Sequence, residues 1–125
     1  MRISFIQPTM IRAHAAGSMQ PIAFGILARL TPSDVAVQLF DENVEDIPTD
    51  IDTDLVAMSV HTFNARRAYA LADMFRARHS PVVMGGVHPT LISNEALEHA
   101  DAIVVGDAEE VWAPLVSDAA KGTMR

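Results

Sequence analysis

Cysteine is absent from the 125 residues. That excludes disulfides, a thiolate nucleophile, a thiolate zinc site and any iron–sulfur cluster carried by this chain alone. Basic residues are scarce: nine Lys and Arg stand against sixteen Asp and Glu, for a net charge of −7. Without a Lys/Arg stripe to track a phosphate backbone, nucleic acid is not an expected partner. Long apolar runs are missing too. Stretches such as 82–84 and 102–105 fall far below the ~20 residues that span a bilayer, and residues 1–7 are too short for a signal peptide. The expectation is a cytoplasmic protein with no membrane span.

Several nucleotide signatures are also lacking. No G-x-G-x-x-G and no G-x-x-x-x-G-K-[ST] follows an apolar run, so neither a dinucleotide fingerprint nor a phosphate loop is available. The acidic residues of a phosphoacceptor site are missing after the first and third apolar runs, where Gln7-Pro8-Thr9 and Ser59-Val60-His61 stand instead.

What is present is a foldable core. Hydrophobic residues make up 50% of the chain and charged residues 20%, a balance that argues against disorder and, at this length, for one domain over 1–125. Strands are predicted at 2–7 (RISFIQ), 35–40 (VAVQLF), 55–60 (LVAMSV), 82–84 and 102–105. The last three are almost continuously apolar, as parallel strands covered on both faces are. Over 64–78, Ala68, Leu71, Ala72 and Phe75 share one helical stripe, with Thr62 or Asn64 as cap. Shorter helices are predicted at 21–30 and at 93–98 capped by Ser93. A last one begins with a capping box of Asp107 and Glu110 and breaks so that Pro114 falls in a first turn. This alternation predicts a flavodoxin-like (Rossmann-like) α/β fold: a doubly wound parallel sheet in order 2-1-3-4-5, with helices on both faces. Ligands of such sheets bind beyond the carboxyl ends of the strands. The loops that matter are therefore 8–20, 59–64, 85–90 and 106–110.

Those loops are small and weakly polar. Gly85 and Gly86 end the fourth strand, Ser59 the third, and Gly106 follows the fifth. The glycine pair permits either a tight turn or the close approach of a bulky planar ligand. His88 precedes Pro89, which biases it toward extended backbone and a ring projecting from a loop; His61 is placed to reach a ligand as well. His79 and His99 read as helix-end residues, and Met10, Met19 and Met58 as core fillers. The acidic run Asp41, Glu42, Glu45, Asp46, Asp50, Asp52 and Asp54 lacks calcium-loop spacing and reads as a solvated edge.

The order ISFIQPT, LFDENVED, then DLVAMSVHTFNARRAYALADMFRARHSPVVMGGVHPT and VVGDAEE resembles the N-terminal cobalamin-binding domain of cobalamin-dependent radical SAM enzymes. GGVHPT is its most specific part, with VVGDAEE standing where that family commonly shows a G-E-G-E type sequence. The resemblance implies that cobalamin (vitamin B12) lies at the carboxyl edge of the sheet with its nucleotide tail running into the fold. The residues it assigns to the cofactor are Ser59, Val60, His61, Gly85, Gly86, His88, Thr90, Gly106 and Asp107. It assigns no catalytic residue.

Relatives with a D-x-H-x-x-G motif ligate cobalt through its histidine. Here Arg12, His14 and Gly17 keep the histidine and glycine without the aspartate that would orient the ring. Cobalamin without a protein ligand to cobalt is the expectation, His14 being the one candidate for that role. The resemblance also implies a radical SAM domain beyond Arg125, a methyltransferase or magnesium-porphyrin ester cyclase, carrying S-adenosylmethionine and an iron–sulfur cluster that this chain does not bind. The module would serve it as methyl carrier or redox partner. The alternative is a cofactor-free docking domain for a protein partner. An enzyme using His61 or His88 as general base ranks last, since neither has a nucleophile or oriented acid partner visible in the sequence.

Overall fold

The computed structural model describes residues 1–8, 22–42, 47, 50–62, 64–105 and 108–121. Five parallel strands form one sheet: β1 (Arg2–Gln7), β2 (Ala36–Asp41), β3 (Leu55–Ser59), β4 (Val82–Gly85) and β5 (Ala102–Ile103), in the order β2-β1-β3-β4-β5. The helices are α1 (Ile22–Leu30), α2 (Ala65–Ala77), α3 (Val87–Leu91), α4 (Ser93–Leu97) and α5 (Trp112–Ala120). The predicted fold class and strand order are those observed.

Side-chain alternation along each strand builds two cores. On one face Val56, Met58, Val82 and Met84 meet Ala68, Leu71, Ala72 and Phe75 of α2, which is the stripe read from the sequence. Burying side chains such as Leu71 and Phe75 contributes about 1.5–3 kcal/mol each. On the other face Ile3, Phe5, Ala57, Val83 and Val104 meet Phe24 and Leu27 of α1 and Trp112 and Val116 of α5. The edge strand β2 is the least covered, with Val37 and Leu39 exposed.

Four local expectations are corrected. β5 is shorter than 102–105: its ladder ends at Ile103, although the Val104 N–H still donates to the Met84 carbonyl at 2.8 Å. Residues 87–91 form a helix rather than a loop. Pro89 is its third residue, where the missing N–H would have had no intrahelical partner anyway, so the proline costs no bond. Ser93 does not cap α4; its hydroxyl donates to the Pro89 carbonyl at 2.9 Å, closing α3. Glu42 is not part of a solvated edge. It is 6% exposed and receives three contacts from the Arg67 guanidinium, the shortest 2.7 Å, a bond that raises the Arg67 pKa above its ordinary value.

Pro114 lies in the first turn of α5, as predicted. Asp107 of the predicted capping box lies outside the described residues.

Candidate functional site

At the carboxyl edge of the sheet, on the face covered by α1 and α5, lies a cavity of about 350 Å³. Its position follows from residue size. Ser59 pairs with Gly85 and Ala57 with Val83 across β3 and β4, so three of these four wall positions are small and a slot remains between sheet and helices. A Cβ added at Gly85 would meet nothing nearer than the Val104 Cβ at 3.8 Å; its missing side chain leaves usable room.

The remaining wall is carbon, from Phe24, Leu27, Val83, Val104 and Trp112. Trp112 is 1% exposed and its ring lies 5.4 Å from Phe5, which is itself 5.0 Å from Phe24. The indole N–H is already committed to Thr31 Oγ1 at 2.9 Å, and that hydroxyl donates onward to the Leu27 carbonyl at 2.8 Å. Among the described lining residues only Ser59 and Glu109 bring polar side chains.

Gly86 has a different task from Gly85. Its φ is +111°, and a Cβ there would stand 2.5 Å from the Val60 carbonyl oxygen. Around this contact the β3 and β4 exits are laced together: the Val60 N–H donates to the Gly85 carbonyl at 2.8 Å, and the His88 N–H to the Val60 carbonyl at 3.2 Å. The Thr90 hydroxyl donates to the Gly86 carbonyl at 2.8 Å. Of the two readings left open for the glycine pair, the tight turn applies to Gly86, while Gly85 leaves open room in the cavity wall.

Asn64 organises the neighbouring loop. Fully buried, it accepts from the His61 N–H at 2.8 Å and donates to the carbonyls of Pro8 at 3.1 Å and Ser59 at 3.4 Å. One amide thus joins the exit of β1 to the exit of β3, the two strands at which the sheet order reverses.

The structure brings Ser59, Gly85 and Gly86 to the slot. Val60 is buried behind it and serves through its backbone, while His61 is exposed. His88 is not the projecting loop side chain expected from Pro89. It is 6% exposed in α3, with Nε2 2.9 Å from Glu95 Oε2 and its ring 6.1 Å from Tyr69, toward α2 and α4. Tyr69 in turn stacks on His99 at 4.3 Å. Its hydroxyl is buried with no hydrogen-bond partner within bonding geometry among the described residues. Burial, with the nearby charges of Glu95 and Glu98, pushes that phenol up to about 12. His14, Gly106 and Asp107, with Met10 and Met19, lie outside the described residues.

Phe24, Leu27, Ala57, Val83, Val104 and Trp112 were not foreseen as site residues. Apolar residues at helical and strand spacing read as core, and only assembly shows that this part of the core is open. The one available signal was Ala57, small and on the same strand face as Ser59.

A family model described as B12 binding domain matches residues 8–116. Bacteriochlorophyllide d C-8(2)-methyltransferase of Chlorobaculum tepidum is 42% identical over 105 residues, which is 83% of this chain and 23% of that protein. Bacteriochlorophyllide d C-12(1)-methyltransferase of the same organism is 36% identical over 121 residues, 95% of this chain and 26% of that protein. The chain therefore spans about a quarter of the length of the curated relatives it matches. No solved structure matches it significantly.

Proposed function

This chain belongs to the B12 binding domain family, and on that premise we propose that it holds cobalamin at the carboxyl edge of its sheet for a methyltransferase whose chemistry is done elsewhere. The carbon-lined slot between sheet, α1 and α5 carries this reading. Its volume of about 350 Å³ lies within the ~300–1,000 Å³ range of small-molecule sites, and its walls suit the fused aromatic base of the cofactor's nucleotide tail. Ser59 and Gly85 would line that tail, with Gly86 and Val60 fixing the loop above it. His61 stands exposed at the same edge. His88 and Thr90 would hold the loop from behind, and Gly106 and Asp107, which the resemblance also assigns to the cofactor, lie outside the described residues.

When bound, cobalamin supplies a cobalt centre able to carry a methyl group or an electron. This chain's own part is to bind and orient it and to keep water from the buried base. The names of the relatives point to a tetrapyrrole of the bacteriochlorophyllide type as the substrate of the whole enzyme. A radical SAM domain beyond Arg125, with S-adenosylmethionine and an iron–sulfur cluster, would then provide the reaction; the lack of cysteine here agrees with that division.

Titration of the purified chain with hydroxocobalamin tests the reading. Saturable binding with a shift of the cobalamin visible spectrum is expected; no binding at millimolar cofactor would overturn it in favour of a docking domain.

A further inference from the structure

We infer that the slot selects among cobamides by the chemistry of their lower base, favouring a carbon-edged base such as dimethylbenzimidazole over a purine such as adenine. This rests on the reading that the slot receives the nucleotide tail. The argument is a count of hydrogen-bonding groups. Phe24, Leu27, Ala57, Val83 and Val104 offer no polar side-chain atom to the cavity. Trp112 has one, and it is spent on Thr31 Oγ1 at 2.9 Å. Glu109 is exposed, so its carboxylate is already solvated. Among the described lining residues Ser59, at the end of β3, is left as the single neutral polar side chain.

A dimethylbenzimidazole joined to its ribose presents one free ring nitrogen, which a single hydroxyl can satisfy, and two methyl groups that match carbon walls. An adenine presents several ring nitrogens and an exocyclic amine. Each of these gives up water on entering, and the described side chains of the slot offer too few neutral polar groups to replace it, the situation that produces large discrimination in apolar sites.

The experiment compares binding of hydroxocobalamin, adeninylcobamide and cobinamide, which lacks the base, to the 125-residue chain. Cobalamin at least tenfold tighter than either of the others is expected, a difference of about 1.4 kcal/mol. Equal or tighter binding of adeninylcobamide would overturn the selectivity, and equal binding of cobinamide would show that no base enters the slot. Failure of all three to bind would instead remove the underlying cobalamin reading, and the inference with it. Val104→Thr, which replaces a methyl by a hydroxyl at nearly constant volume, should narrow the cobalamin preference several-fold; an unchanged ratio in the folded variant would count against this slot as its source. Val83→Thr serves the same purpose should the first variant fail to fold.

Discussion

Gly86 rests so closely on Val60 that a Cβ there would lie 2.5 Å from the Val60 carbonyl oxygen, with the Val60 nitrogen and carbonyl carbon at 3.1 and 3.3 Å. Backbone cannot yield as a flexible side chain can, and the φ of +111° adds its own penalty. Gly86→Ala should therefore cost on the order of 2–4 kcal/mol in urea unfolding. Gly85→Ala should stay within about 1 kcal/mol, because its Cβ meets only Val104 in ordinary contact. Gly85→Leu should fold yet lose most cobalamin affinity. Equal destabilisation at the two positions would contradict this division of labour.

Trp112 is the only tryptophan and lines the slot. Its emission reports on the site without interference. Hydroxocobalamin absorbs in the near ultraviolet, so saturable quenching should run parallel to the spectral titration. Quenching that is linear in cofactor and absent at low concentration would place the ligand elsewhere.

Tyr69 is likewise the sole tyrosine, with its phenol pushed up to about 12. An unfolded tyrosine ionises near 10, so the unfolded chain releases the proton first. The contribution of this group to stability is complete below pH about 10 and is lost as pH rises through about 12. Absorbance of the tyrosinate should show a midpoint near 12 in buffer and near 10 in urea. Tyr69→Phe, which removes a buried hydroxyl that has no partner within bonding geometry among the described residues, should be neutral or stabilising by up to about 1 kcal/mol. A clear loss of stability would reveal a bond to that hydroxyl.

Asn64 holds three backbone groups from complete burial. Asn64→Ala should cost about 2 kcal/mol and weaken cobalamin binding by loosening the loop after β3. Asn64→Asp keeps the acceptor for the His61 N–H but sets a carboxylate against the Pro8 and Ser59 carbonyls, so it should not restore wild-type stability. Full recovery in Asn64→Asp would mean that the two donor contacts contribute nothing.

Much of this was legible in the residues themselves. Continuous apolar runs at 55–58 and 82–84 read as short strands covered on both faces, and the α2 stripe of Ala68, Leu71, Ala72 and Phe75 reports which side packs. The strand order followed from strand–helix alternation, because right-handed crossovers leave few arrangements. Boundaries were less legible. Residues 87–91 look extended locally because proline disfavours helix for His88, yet the His88 N–H bond to Val60 and the Ser93 bond to Pro89 stabilise a turn of helix there. Glu42 resembled its acidic neighbours until Arg67, 25 positions away, was brought to it.

By itself, then, the sequence determined the class of fold, the order of its strands, and the exclusion of any thiol chemistry in this chain. These depend on composition and short-range periodicity, which act along the chain. Only the tertiary structure decided that Gly85 opens a cavity while Gly86 closes a turn, that His88 faces Tyr69 and Glu95, and that Trp112 forms part of the cavity wall. Those outcomes depend on which distant backbone or side chain arrives opposite each residue, and adjacent glycines are identical until a neighbour such as Val60 or Val104 distinguishes them.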